Sequence, residues 1–192
     1  MKLILRPTKV TYKLPSILST SEVQRIINST SNIKHKTLLV VTYGAGLRVS
    51  EAVRLKREDI DSERMTLHIR NCKNRKDRFV ILSPVVLKYL RVYWKQYQFK
   101  DYIFQGNGAE HITTGTATTI YKKAKALAKV EKPGGIHGLR HGFATHSLEA
   151  GVDLFVIKKL LGHSSIHSTV RYLSFIPNKN NNVKSPIDQL SL

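Results

Sequence analysis

The sequence has a single cysteine, Cys72, so no disulfide can close within the chain and no all-cysteine metal site can be built. Acid is scarce: 13 Asp and Glu stand against 32 Lys and Arg, a formal net charge of +19 that points to a polyanionic partner. Long apolar runs are missing as well. The opening Met1-Lys2-Leu3-Ile4-Leu5 breaks at Arg6-Pro7, short of a signal-peptide core, and no run approaches the ~20 residues that span a bilayer. These absences set the expectation of a cytoplasmic protein with no membrane contact. Hydrophobic residues make up 41% of the chain, which excludes a disordered basic coat. The 192 residues suffice for one full domain with a real core.

The charge is segregated. Residues 64–100 hold ten Lys or Arg and one acid, Asp77, and the first 21 residues carry Lys2, Arg6, Lys9 and Lys13 with no acid. Residues 51–63 gather Glu51, Glu58, Asp59, Asp61 and Glu63. Any one basic block could be a solvated face, but several together with the overall excess favour phosphate contact.

Ser19-Thr20-Ser21-Glu22 has the form of a capping box, which predicts a helix from about Thr20 with Val23, Ile26 and Ile27 inward. From Ile33 through Leu38-Leu39-Val40-Val41 the chain is apolar all round, as a central core helix would be, and Gly44 and Gly46 then bend it. Val49 or Ser50 opens a short third helix, placing Arg48 at a helix N-terminus, where backbone N–H groups favour an anion. Met65, Leu67 and Ile69 alternate with Thr66, His68 and Arg70, and Phe79-Val80-Ile81-Leu82 follows, so a two-strand hairpin with a cationic connection is predicted.

Pro84 suits the first turn of a helix running to Trp94. Further helices are expected over residues 115–130, from about His137 to Glu149, from Asp153 to Leu161, and from Ser164 or Ser165 to Tyr172. Along the first of these, Lys122, Lys125 and Lys129 at i, i+3, i+7 would form a cationic stripe able to follow a phosphate backbone or enter a major groove. The fold class expected is α+β, mainly α, with a small antiparallel sheet.

Chemistry-bearing residues collect at the predicted turns and helix ends: Arg48; Lys73 in the hairpin connection; His137, Arg140 and His141; His163; and Tyr172. Carboxylates are absent from this set, which argues against a two-metal nuclease, since hard cations need carboxylate oxygens. His137 and His141 have the i, i+4 spacing of zinc ligands but lack the intervening Glu of the zincin pattern. No metal or other cofactor is expected. Arg forks with Lys and His donors can instead neutralise charge developing on a phosphate. Each residue alone has a bland reading, whether helix-start arginine, helix-end histidine or packed tyrosine; the ensemble carries the signal.

That ensemble resembles the catalytic domain of the tyrosine recombinase, or phage integrase, family over about Leu18 to Phe175. Gly46-Leu47-Arg48-Val49-Ser50-Glu51 matches the family's Gly-x-Arg-x-Ser-Glu, and His137-Gly138-Leu139-Arg140-His141 matches its His-x-Leu-Arg-His box. Leu161-Gly162-His163 matches the next box, and Tyr172 follows in a nucleophile-like context. The resemblance implies that Tyr172 attacks a DNA phosphate to leave a 3′-phosphotyrosyl link, while Arg48 and Arg140 grip the nonbridging oxygens. It further implies that His163 donates to the phosphate and His137 assists as base. Lys73, with Lys76 as the fallback, would protonate the leaving 5′-oxygen, and His141 would buttress the site. Arg75, Lys76, Lys122, Lys125 and Lys129 are candidate DNA contacts.

The implied partners are double-stranded DNA and further copies of the chain in a homotetramer on synapsed DNA. The expected layout is a basic arm over residues 1–17, a catalytic domain over 18–175 and a tail over 176–192. Larger members carry a separate helical core-binding domain ahead of the catalytic one, whereas here fewer than 20 residues precede the first predicted helix. Three outcomes stay open: recombination by integration, excision or inversion; topoisomerase-like nicking and resealing; and non-cutting DNA binding.

Overall fold

Helix α1, Thr20–Asn28, begins where the capping box sets it: the Glu22 N–H donates to Ser19 Oγ at 3.2 Å and the Ser19 N–H to a Glu22 carboxylate oxygen at 2.7 Å. The computed structural model in which this is seen describes residues 16–70, 77–106, 108 and 110–175. Helix α2, Ile33–Gly44, runs through the centre with Leu38, Leu39 and Val41 fully buried, as its all-round apolar sequence requires. It packs on α4, Pro84–Tyr97, and on α6, His137–Glu149. In α4 the inward face is Val86, Leu90 and Tyr93, while Val85, Val92 and Trp94 remain exposed.

Between α2 and α4 lie the short helix α3, Val49–Val53, and the sheet. The hairpin forms from β2, Thr66–Ile69, and β3, Arg78–Ile81, with Leu67 opposite Val80. A further short strand, β1, Ile60–Asp61, pairs with β2, so the sheet has three antiparallel strands in the order β1-β2-β3. Met65, expected as the first strand residue, instead turns the chain with φ of 52°. The connection at 71–76, with Lys73, Arg75 and Lys76, lies outside the described residues, as do most of the basic arm and the tail.

Helix α5, Thr114–Leu127, stops short of its expected end at residue 130. Lys129 takes a left-handed φ of 53° beyond the helix, and the Lys125 ammonium donates to the Lys132 carbonyl. The cationic stripe therefore does not exist as one helical face: Lys122 stays on the exposed helix surface, Lys125 is partly buried, and Lys129 is carried off by the turn. Helix α7, Leu154–Leu161, is capped by Asp153, whose carboxylate accepts from the N–H groups of Phe155 and Val156, and it ends at Gly162 in the left-handed conformation. The last helix is divided: α8 covers only His167–Val170, and a 3₁₀ helix, Arg171–Phe175, carries Tyr172.

Two apolar clusters result. The larger gathers α1 to α5 and the sheet, while Ala144, Leu148, Ile157, Leu161 and Tyr172 form a smaller one where α6, α7 and the 3₁₀ helix meet. The seam between them is crossed at Gly46, whose φ is +62° and whose backbone abuts the Phe143 ring. A Cβ there would lie 2.4 Å from Phe143 Cδ1. Gly46→Ala should therefore destabilise the fold by about 1–3 kcal/mol or more, seen as a lower urea midpoint at unchanged m.

Candidate active site

The site is built around one carboxylate. Glu51, at the third position of α3, accepts from its own helix start through the Arg48 backbone N–H at 2.8 Å and the Arg48 guanidinium at 2.8 Å. Arg78, reaching in from β3, adds a two-pronged pair at 2.9 and 2.8 Å. Arg140, from the first turn of α6, brings a third guanidinium to 3.6 Å. Burial alone would raise the Glu51 carboxyl, but the hydrogen bonds and charge of Arg78, reinforced by Arg48, pull it down to about 2.

Three guanidiniums against one carboxylate leave net positive charge at the junction of the two clusters. The end of α7 helps to hold it. The last carbonyls of a helix lack intrahelical partners, and here Leu160 accepts from Arg78 Nε at 2.7 Å while Leu161 accepts from Arg140 at 2.6 Å. Arg140 also donates to the Gly46 carbonyl at 2.8 Å. With its side chain almost wholly buried, burial and the charge of Arg48 lower its guanidinium to about 10, which leaves it charged at neutral pH.

Tyr172 packs its ring into the smaller cluster at 6% exposure and places its hydroxyl 3.0 Å from His141 Nδ1. Burial raises its phenol above the ordinary value of 10, a rise that the charges of Arg140, Arg48 and Arg171 only partly offset, so the hydroxyl is protonated at neutral pH. His163, just past Gly162, lies parallel to the Tyr172 ring at 6.3 Å between centroids, and its Nδ1 is 2.9 Å from Thr169 Oγ1. Burial and the charges of Arg140, Arg48 and Arg78 push its imidazole down to about 4, so it is neutral. In the tautomer whose Nδ1 accepts from Thr169, Nε2–H is left as a donor. His137 opens α6, and burial with the charges of Arg140 and Arg48 lowers its pKa too.

Thus Arg48, Arg140, His163 and Tyr172 converge as the sequence suggests, with His137 one turn from His141. Lys73, Arg75 and Lys76 lie outside the described residues, and Lys122, Lys125 and Lys129 belong to α5 and the turn after it. Sequence reasoning gave no part to Arg78 and none to Glu51 beyond its place in the motif. The signal for Arg78 was present: in a strand of alternating burial it shares the inward face with Val80. Among the described residues, no group of three or more His, Cys, Asp or Glu is placed to hold a metal ion.

The architecture is that of a tyrosine recombinase catalytic domain. A crystal structure of XerA recombinase superposes on it with a TM-score of 0.77 at 31% identity, covering 87% of this chain and 61% of that one. The family model described as the phage integrase family matches residues 16–178, and the chain belongs to that family. A Sinorhizobium fredii protein provisionally named an integrase/recombinase is 45% identical over 179 residues, 93% of this chain and 58% of its own length. Tyrosine recombinase XerA of Pyrococcus horikoshii is 36% identical over 173 residues, 88% of this chain and 60% of that protein. The chain thus spans somewhat under two thirds of the length of these relatives.

Because Glu51 holds its proton less tightly folded than at its ordinary value of 4.5, its contribution to stability is complete above that value and is lost as pH falls toward about 2. Glu51→Gln leaves the guanidiniums uncompensated and should cost about 3–5 kcal/mol at pH 7. Urea unfolding at pH 7, 4.5 and 3 should show the gap between wild type and variant closing only below pH 4.5.

Proposed function

We propose that this chain is the catalytic domain of a site-specific DNA recombinase that cuts and rejoins duplex DNA through a 3′-phosphotyrosyl intermediate. The observation that carries the reading is a buried tyrosine within the electrostatic reach of a cluster that has two more guanidiniums than carboxylates. A phosphodiester supplies the missing negative charge, and Tyr172 supplies the nucleophile. Arg48 and Arg140 bind the nonbridging oxygens, where preorganised donors stabilise the charge that builds up in the transition state. His163, neutral, adds a donor to the same phosphate without repelling the arginines, and the resemblance makes His137 the base toward Tyr172. Lys73 protonates the departing 5′-oxygen.

The covalent link conserves the phosphodiester bond energy, so a 5′-hydroxyl from a second duplex can reverse the attack without a nucleotide cofactor. Double-stranded DNA is the substrate, consistent with the +19 charge and with solved structures of XerH bound to its difH substrate. Strand exchange between two duplexes calls for four copies of the chain. Among the described residues, no helix is long and apolar enough to cross a membrane.

The test is a nicked duplex or one with a bridging phosphorothiolate, drawn from DNA flanking the gene and resolved on denaturing gels. Wild type should give a protein–DNA adduct that Tyr172→Phe abolishes. Arg140→Lys, which loses the fork that spans two carbonyls and the phosphate, should slow adduct formation by about 10²–10³. Relaxation of supercoiled plasmid without recombinants would instead indicate topoisomerase-like nicking and resealing. Specific binding with no adduct would indicate a non-cutting accessory protein.

A further inference from the structure

The resemblance gives the nucleophile's proton to His137, yet the ring at hydrogen-bond distance from the Tyr172 hydroxyl is that of His141, one helical turn further along α6. The two rings meet at 5.8 Å between centroids and 48° between planes. The contact is held from both sides. Leu148 of α6 and the Tyr172 ring belong to the same apolar cluster, which fixes the 3₁₀ helix against α6, and the His163 ring lies parallel on Tyr172. His137, by contrast, is the first residue of α6 and is exposed.

We propose that His141 is a catalytic residue, the general base that takes the Tyr172 proton during strand cleavage and returns it on rejoining. This rests on the strand-transfer reading above. In the cleavage step the Tyr172 Oη–P bond forms and the P–O5′ bond breaks. The phenolic proton passes to His141 Nδ1, and the departing 5′-oxygen takes a separate proton from Lys73. Rejoining reverses each transfer, so the His141 imidazolium gives its proton back to the phenolate as the Oη–P bond opens.

The surroundings suit a base that is empty at neutral pH. Burial, then the charges of His137 and Arg140 on the same helix, hold the His141 imidazole below its ordinary 6.5. His163 faces it from the turn after α7, and Tyr172 from the 3₁₀ helix. Tyr172, raised by burial, is the opposite case, a proton that does not leave unaided near pH 7. An imidazole at hydrogen-bond distance from the nucleophile supplies that aid, worth typically about 10²–10⁴ in rate.

The test uses the phosphorothiolate duplex, whose thiolate leaves without an acid, so that the pH dependence of adduct formation reports the nucleophile alone. Wild type should be level between pH 7 and 9 and fall only on the acid side of the ordinary imidazole value, as the lowered His141 is protonated. A tenfold rise per pH unit across pH 7–9 would mean the phenol ionises with no base, and would overturn the proposal without any variant. His141→Gln should lose about 10²–10³ at pH 7 and acquire that tenfold slope. His137→Gln should lower the rate but keep the plateau; the opposite pairing would return the role to His137.

His141→Asn and circular dichroism guard against a folding defect in the glutamine variant. A second readout needs no DNA. In the free protein, ¹⁵N resonances of the His141 ring should show Nδ1 unprotonated and accepting, and a protonated Nδ1 at pH 7 would overturn the assignment. If wild type forms no adduct, the strand-transfer reading fails, while the ring measurement still decides whether His141 accepts from Tyr172.

Discussion

Everything at the site depends on one carboxylate holding three guanidiniums apart and in place. Without Glu51, Arg48, Arg78 and Arg140 would repel one another in a space with little water to screen them. With it, each arginine is tied to protein acceptors: Arg48 and Arg78 to the carboxylate, Arg140 to the Gly46 carbonyl. The paired carboxylate lowers the charge of the unliganded site, yet leaves enough excess for a phosphate to complete it. A site in which all three arginines were fully paired would have no electrostatic reason to take up an anion.

The same economy explains the histidines. Burial, reinforced by nearby positive charge, pushes His137, His141 and His163 below their ordinary values, so imidazoles serve here as neutral hydrogen-bonding groups. That neutrality suits the proposed chemistry, in which imidazoles donate to a phosphate and receive a proton from a phenol. Tyr172 is shifted the other way by burial, so in the resting site its proton stays on the phenol.

Much of this was legible in sequence where the governing chemistry is local. The Ser19–Glu22 capping box, the Asp153 cap and the Gly162 stop each mark a helix end with side chains that act within four residues, and the structure has them there. The end of α5 was not legible, because Lys129 adopts a left-handed turn with no glycine to signal it, and the lysine stripe built on a longer helix went with it. Strand β1 is two residues long and has no alternation to read. The arginine cluster escaped for a different reason: Glu51 gains its meaning only when β3 and α6 arrive from elsewhere in the chain.

The last two carbonyls of α7, left without helical partners, join parts of the molecule that share no sequence neighbourhood. Leu160 is fastened to the inner strand of the hairpin and Leu161 to the helix that carries the imidazoles, through arginines that also touch the central carboxylate. The peptide immediately after them leads to His163 and on to Tyr172. Sheet and Tyr172 segment therefore share a single anchorage, so a shift of β3 relative to α6 bears directly on where Tyr172 stands.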